Sequence, residues 1–206
     1  AAMNKVITVG REFGSGGREL GQKLAERLGI AYYDNEIVRE IAKKTELMEK
    51  YIEEIVEKRP LTFIPLTVGR TFYIPDDYHA SQSYSIFVEQ SNVINEMAHK
   101  SDCVIVGRCA DYILREMEPF RIFVYADMES KMKRCRARAS EGEDLSDKKL
   151  MQKIKAVDKS RAQYYQFYTG LKWGDKLNYD MCANTSNTDI DIVVRAIARM
   201  FELNKG

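Results

Sequence analysis

KVITVGREFGSGGREL, Lys5 to Leu20, joins a β-branched run to a glycine-rich turn and then to a helical pattern. Lys5 to Gly10 reads as a short strand closed by glycine. Leu20, Leu24 and Leu28 follow at four-residue spacing, the apolar stripe of an amphipathic helix. Strand, glycine loop and helix in that order frame the reading of the rest.

Gly29 supplies a helix stop, and IAYYD (Ile30 to Asp34) reads as a second strand ending at a carboxylate. A long charged helix or helix pair is expected from Asn35 to about Lys58. From Arg59 to about Tyr84, Pro60, Pro65 and Pro75 interrupt an aromatic-rich stretch without a clean period, so an irregular insertion or a pair of short elements is expected. Helical spacing resumes at IFVEQSNVINEMAHK. SDCVIVGR is a near-continuous apolar run ending in glycine, which is how a parallel strand buried on both faces reads.

RIFVYAD (Arg121 to Asp127) repeats that pattern and leads into a basic helix, MESKMKRCRARAS. An acidic segment, EGEDLSDKK, precedes a helix expected from about Lys149 to Tyr168. YDMCANTS (Tyr179 to Ser186) makes a last strand, and DIDIVVRAIARMF a closing amphipathic helix. Strands alternating with helices imply an α/β fold with a mostly parallel central sheet and helices on both faces. In such sheets the ligand crevice lies beyond the carboxyl ends of the strands. The glycine loop, Asp34, Gly107-Arg108 and Asp127 all follow strands and should gather there.

The chain has 206 residues, enough for one sizeable core and short for two. Lys and Arg number 32 against 31 Asp and Glu, so no global field recruits nucleic acid or a membrane surface. Any anion site must come from local arrangement. Cys103, Cys109, Cys135 and Cys182 lack the close pairing of a zinc site and read as reduced thiols. No apolar run reaches the ~20 residues of a membrane span, and a cytoplasmic setting is expected. Oligomeric state is not legible in the sequence.

A phosphate-binding loop works through backbone N–H groups of a glycine-rich turn and the positive end of the following helix. Gly14, Gly16 and Gly17 suit such a turn, and Ser15 adds a hydroxyl. The motif GxxxxGK[ST] further demands a lysine for the outer phosphates and a hydroxyl for the metal. With Gly16 as the second motif glycine, Gly17 stands where the lysine belongs, Arg18 where the hydroxyl belongs and Arg11 where the first glycine belongs. Arg18 and Arg11 are therefore the candidate substitute cations, guanidinium being suited to bidentate phosphate contact. The competing reading is a tight strand-to-helix turn whose glycines serve packing.

REFGSGGRE before a helix, YYDNEIV, VIVGRCADYIL, the arginine-rich helix, VDKSR and YDMCANTS occur together in one order. In these pieces the chain resembles the cytidylate-kinase-like proteins, a branch of the P-loop nucleoside monophosphate kinases. The resemblance covers nearly the whole chain and is weakest from Arg59 to Tyr84. It implies a three-layer P-loop NTPase-type fold in one domain, 1–206, with an acceptor-binding region at about 35–100 and a helical lid at about 130–165. It implies ATP with Mg²⁺ and transfer of the γ-phosphoryl group to a small nucleotide such as CMP.

Carried over by position, the resemblance gives the donor phosphates to Gly14, Ser15, Gly16, Gly17 and Arg18; Arg11, Phe13 and Glu19, beside them in sequence, are further residues expected to bind the donor. It gives the acceptor to Asp34, Arg108, Asp158 and Arg161. Arg108 matches the arginine of a GRD motif whose aspartate is here Cys109. Arg134, Arg136 and Arg138 fall in the lid, and Asp158 with Arg161 resembles the DxxR pair that follows it. Arg18, Arg108, Arg134, Arg138 and Arg161 are the arginines expected to serve catalysis.

The same residues make chemical sense without the family. Phosphoryl transfer needs two phosphates held in line and developing charge neutralised, and arginines converging from separate segments supply that. Arg134, Arg136 and Arg138 spread over about 200° of a helix and cannot all face one ligand. Asp158 and Arg161 share a helix face and either pair with each other or meet ligand. Glu12 and Glu19 flank the loop and are alternative metal contacts, though no ligand cluster is required, because magnesium keeps several waters. Tyr164, Tyr165, Phe167, Tyr168 and Trp173 read as core packing before base stacking. His79 and His99 carry no assigned role. Two rival functions stay open: a nucleotide-sensing module that has lost the chemistry, and a kinase for a different small metabolite.

Overall fold

The computed structural model describes residues 4–47, 49, 52–53, 77–139 and 145–203, with the side chains of 77–82 and 202–203 left aside. Five strands form one sheet: β1 (Val6–Arg11), β2 (Ala31–Tyr33), β3 (Cys103–Val106), β4 (Phe120–Tyr125) and β5 (Met181–Asn184). The order is β2-β3-β1-β4-β5, and every pairing is parallel. The helices are α1 (Gly17–Leu28), α2 (Asn35–Thr45), α3 (Asp77–Lys100), α4 (Ala110–Ile113), α5 (Met128–Arg138), α6 (Asp147–Thr169) and α7 (Ile190–Leu203).

The period-2 alternation of each strand sorts its residues between two cores. Val6 of β1 with Cys103 and Ile105 of β3 faces Ile37, Ile41 and Val38 of α2 and Ile86, Val93 and Ile94 of α3. Ile7, Val9, Val104, Val106, Ile122 and Val124 face the other way, onto Leu20 and Leu24 of α1 and Val194 and Ile197 of α7. The central strands are buried on both faces, so their apolar runs are unbroken. Phe123, on the first face of β4, packs on Trp173 and Tyr179 instead.

The element order matches the sequence reading, with revised boundaries. β1 runs one residue past Gly10, so that Arg11 belongs to the strand. α2 stops at Thr45, where Glu46 turns left-handed at φ 57°, and Glu49, Ile52 and Glu53 are helical beyond it. That favours the helix pair over one long helix. α3 begins at Asp77, well before the expected resumption at Ile86. Among the described side chains of α3 before Gln90, Ile86 alone is buried while Tyr84 and Val88 are exposed, so no apolar stripe marks the start of this helix. The rest of the expected insertion, 59–76, lies outside the described residues. The sequence reading missed α4, a single turn following Arg108 and Cys109, both with positive φ. Among the described residues, no helix is long and apolar enough to cross a membrane.

Candidate active site

The loop between β1 and α1 takes its shape at two glycines. Gly14 (φ 77°) and Gly16 (φ 83°) occupy the left-handed region, which other L-residues enter at a cost of roughly 1–2 kcal/mol. Between them Ser15 Oγ donates to the Glu12 carbonyl at 2.7 Å, and Leu20 N–H closes the first helical bond to Gly16 O at 2.9 Å. Among the described residues, no protein acceptor takes the N–H groups of Gly14, Gly16 or Arg18. These donors sit at the positive end of α1, the local chemistry of an anion cradle.

A cavity of about 130 Å³ opens over this loop, lined by Arg11, Glu12, Phe13, Gly14, Gly16, Gly17, Arg18, Arg138 and Arg161. Four guanidinium groups border it. Its one carboxylate, Glu12, is already engaged, its Oε2 lying 2.7 Å from Lys131 Nζ. Beside it a smaller cavity, about 30 Å³, shares Arg11 and Arg161 and adds Arg108, Cys109, Asp111, Tyr164 and Tyr165. Along α5 a third cavity, of about 400 Å³, is lined by Ser130, Lys133, Arg134, Ala137, Asn187 and Thr188.

The expected residues separate by position. Asp34 is buried and lies between two arginines: Arg18 Nε at 2.6 Å from Oδ2, and Arg108 Nη2 at 3.7 Å from Oδ1. Arg108 is itself buried, held from behind by Gln90, which is fully buried and donates to the Arg108 carbonyl at 3.0 Å. Arg18 is about half exposed, at the mouth of the crevice. Asp158 faces inward: its Oδ1 accepts the Phe13 amide at 2.6 Å, and its Oδ2 lies 2.8 Å from Lys131 Nζ. Arg161 does not pair with it, but donates to the Arg11 carbonyl at 3.3 Å and lies over the Phe13 ring.

The α5 arginines diverge as the helix geometry requires. Arg134 donates to the Thr185 carbonyl at 2.5 Å, Arg138 reaches Glu19 at 2.5 Å, and Arg136 turns away to Asp147. Arg134 Nη1 is buried and has no hydrogen-bond partner among the described residues. The region expected as a lid is partly fixed, since Ile154, Tyr164 and Tyr165 of α6 are buried. Asp127 caps α5, accepting the Ser130 amide at 2.7 Å, which holds its carboxyl below the usual range.

Sequence reasoning missed Lys131. It is almost fully buried between Glu12 and Asp158. Burial pulls its pKa down, but the bonds to Asp158 and Glu12 outweigh that and leave it raised. The signal was present: Lys131, Arg134 and Arg138 stand at i, i+3 and i+7, one face of α5. Thr185 was missed as well. Its buried hydroxyl donates to the Ser15 carbonyl at 2.7 Å and ties the end of β5 to the loop. Asp111 accepts the Tyr165 hydroxyl at 2.6 Å, and burial raises its pKa despite that bond.

Comparison with known proteins agrees with this architecture. A crystal structure of an uncharacterized protein from Eubacterium ventriosum ATCC 27560 superposes with TM-score 0.68 at 28% identity, covering 97% of this chain and 99% of that one. Shikimate kinase from Bacteroides thetaiotaomicron gives 0.56 at 15% identity, covering 98% and 99%. Thymidylate kinase from Candida albicans gives 0.51 at 15%, covering 100% and 94%. At those identities the two kinases establish the fold alone, that of the P-loop kinases. No curated protein sequence matches the chain. The sequence model of the cytidylate kinase-like family matches residues 6–187, and the chain belongs to that family.

Proposed function

We propose that this protein transfers the γ-phosphoryl group of ATP to a small acceptor, a nucleoside monophosphate such as CMP. The observation that carries the reading is the set of open amides at Gly14, Gly16 and Arg18 inside a cavity bordered by four arginines. Oriented N–H dipoles and guanidinium groups are what a polyphosphate needs as its charge shifts during transfer. The family and fold agree with it.

In this reading the donor phosphates lie along residues 11–19, and the nucleoside end of ATP enters the 400 Å³ cavity beside Arg134 and Thr188. The acceptor approaches from the side of Asp34 and Arg108. Asp34 holds Arg18 and Arg108 in one arrangement, so two cations meet the acceptor oxygens already oriented. An acceptor oxygen bonds to the γ-phosphorus while the bond from that phosphorus to the β,γ-bridging oxygen breaks, its electron pair leaving on ADP. A phosphate acceptor oxygen that is already ionised gives up no proton. Arg161 and Arg138 border the same space and offset the charge spread over the transferred group.

Among the described residues, no group of three or more His, Cys, Asp or Glu could hold a metal ion. Glu12 and Glu19, the carboxylates flanking the loop, are ion-paired with Lys131 and Arg138. Mg²⁺ would arrive chelated by the ATP phosphates and keep several waters, so one or two carboxylates beside the loop would suffice to hold it.

The test is ADP formation from Mg-ATP with a panel of monophosphates, beside equilibrium binding of ATP. Acceptor-dependent ADP release with at least one monophosphate is expected. Tight ATP binding with no transfer to any acceptor would replace the kinase by a binding module.

A further inference from the structure

Arg11 and Gly17 exclude one another's side chains. A Cβ added to Gly17 would fall inside 3.0 Å of the Arg11 Cβ and 3.1 Å from its Cγ. Gly17 opens α1 with ordinary helical backbone, so a side chain there is barred by Arg11 and not by φ. Further out, the Arg11 guanidinium passes Gly107: a Cβ at that glycine would lie 2.8 Å from the Arg11 Cζ. The arginine is nearly buried, and it lines both the loop cavity and the small cavity it shares with Arg108.

Two glycines thus clear a channel for one guanidinium. It starts at the position where the P-loop motif has its first glycine and crosses the position where the motif has its lysine. Besides Arg18 at the hydroxyl position, motif and chain differ by a reciprocal exchange, glycine to arginine at 11 and lysine to glycine at 17. Arg18, the other candidate substitute, is about half exposed and lies against Asp34.

We infer that Arg11 is a catalytic residue, the cation that meets the outer phosphates of the donor in place of the absent lysine. The inference rests on the phosphoryl-transfer reading and names the group that reading lacks. A guanidinium forks its donors across two phosphate oxygens and stays protonated throughout, so it contributes charge and orientation and takes no proton from the reaction.

Four variants test this in the full chain: Arg11→Met, Arg11→Lys, Gly17→Lys, and the double variant Arg11→Gly with Gly17→Lys. Arg11→Met keeps most of the packed volume without the charge. It is expected to lower kcat roughly a hundredfold, the scale for removing one preorganised donor, and to weaken ATP binding more than ADP binding. Arg11→Lys is expected to retain more turnover than Arg11→Met. Gly17→Lys restores the motif lysine but collides with Arg11, and is expected to be as impaired as Arg11→Met. The double variant regains turnover to within roughly tenfold of the parent if the two positions are exchangeable.

Melting curves of all four confirm folding. Equal loss of ATP and ADP affinity in a folded Arg11→Met would make Arg11 a packing residue only and overturn the inference. Parental turnover in Arg11→Met would do the same, leaving the kinase reading intact. A double variant no better than the two singles would also overturn it. Failure of the parent itself to bind ATP would remove the kinase reading, and this inference with it.

Discussion

The Asp158 carboxylate accepts the Phe13 amide at 2.6 Å, a bond that spans 145 residues of chain and pins the glycine loop to α6. The same carboxylate neutralises Lys131, which is nearly buried. Asp158→Ala removes both contacts but leaves Glu12 to pair the lysine, so the expected loss is about 2 kcal/mol, within the range for a charged hydrogen bond. A chain of this size would melt roughly 4–8 °C lower. Calorimetry checks the stability, and ATP affinity should fall with it because the loop loses its outer anchor. Unchanged melting would mean that Glu12 alone satisfies Lys131.

Gly14 stands against α5 so closely that a Cβ there would lie 2.9 Å from the Lys131 carbonyl oxygen and 3.0 Å from Cys135 Sγ. Gly14→Ala combines that crowding with a left-handed backbone, which alone costs about 1–2 kcal/mol. Binding of ATP should suffer more than global stability, since the loop can shift away from α5 at the expense of its amide geometry. Paired binding isotherms and melting curves separate the two effects. Wild-type affinity in a folded variant would show that the cradle tolerates displacement.

Thr185→Val keeps the shape of a fully buried side chain and deletes its hydroxyl. The Ser15 carbonyl then loses its 2.7 Å donor, at an expected cost of about 1–3 kcal/mol for a buried acceptor left unmade. Thr185→Ser, which retains the donor, should recover most of the difference. Chemical denaturation of the three proteins measures it.

Asp111 carries a pH signature. Burial raises its pKa above the ordinary 3.8, with the Tyr165 hydroxyl acting in the opposite direction. A raised folded-state pKa means that stability is fully present below the unfolded value and declines as pH rises through the folded one. The ionised carboxylate is therefore a destabilising element at neutral pH. Asp111→Asn can still accept from Tyr165, and is expected to melt higher than the parent at pH 7. That gap should close as pH falls toward 3.8. A variant equally or less stable at neutral pH would show that the Tyr165 bond outweighs burial.

Legibility in the sequence followed the range of the interactions. The strands and the helices α1 and α7 announce themselves because the central sheet is buried on both faces and the flanking helices on one, so local pattern and burial coincide. The start of α3 was obscured because Tyr84 and Val88 are exposed where the pattern needed apolar burial. In α5 the basic run drew attention to arginines spaced two apart, whereas the face turned to the loop is Lys131, Arg134 and Arg138. Asp158 and Arg161 share a helix face, yet each finds a nearer partner in the loop.

By itself the sequence determined the order of elements, the parallel sheet and the glycine turn, because strand alternation, helical period and left-handed glycines are properties of neighbouring residues. Tertiary structure alone decided how the arginines around the cradle are disposed. A guanidinium on a long flexible stem points wherever distant groups leave room or offer charge: Gly17 and Gly107 clear a path for Arg11, while Asp34 draws in Arg18.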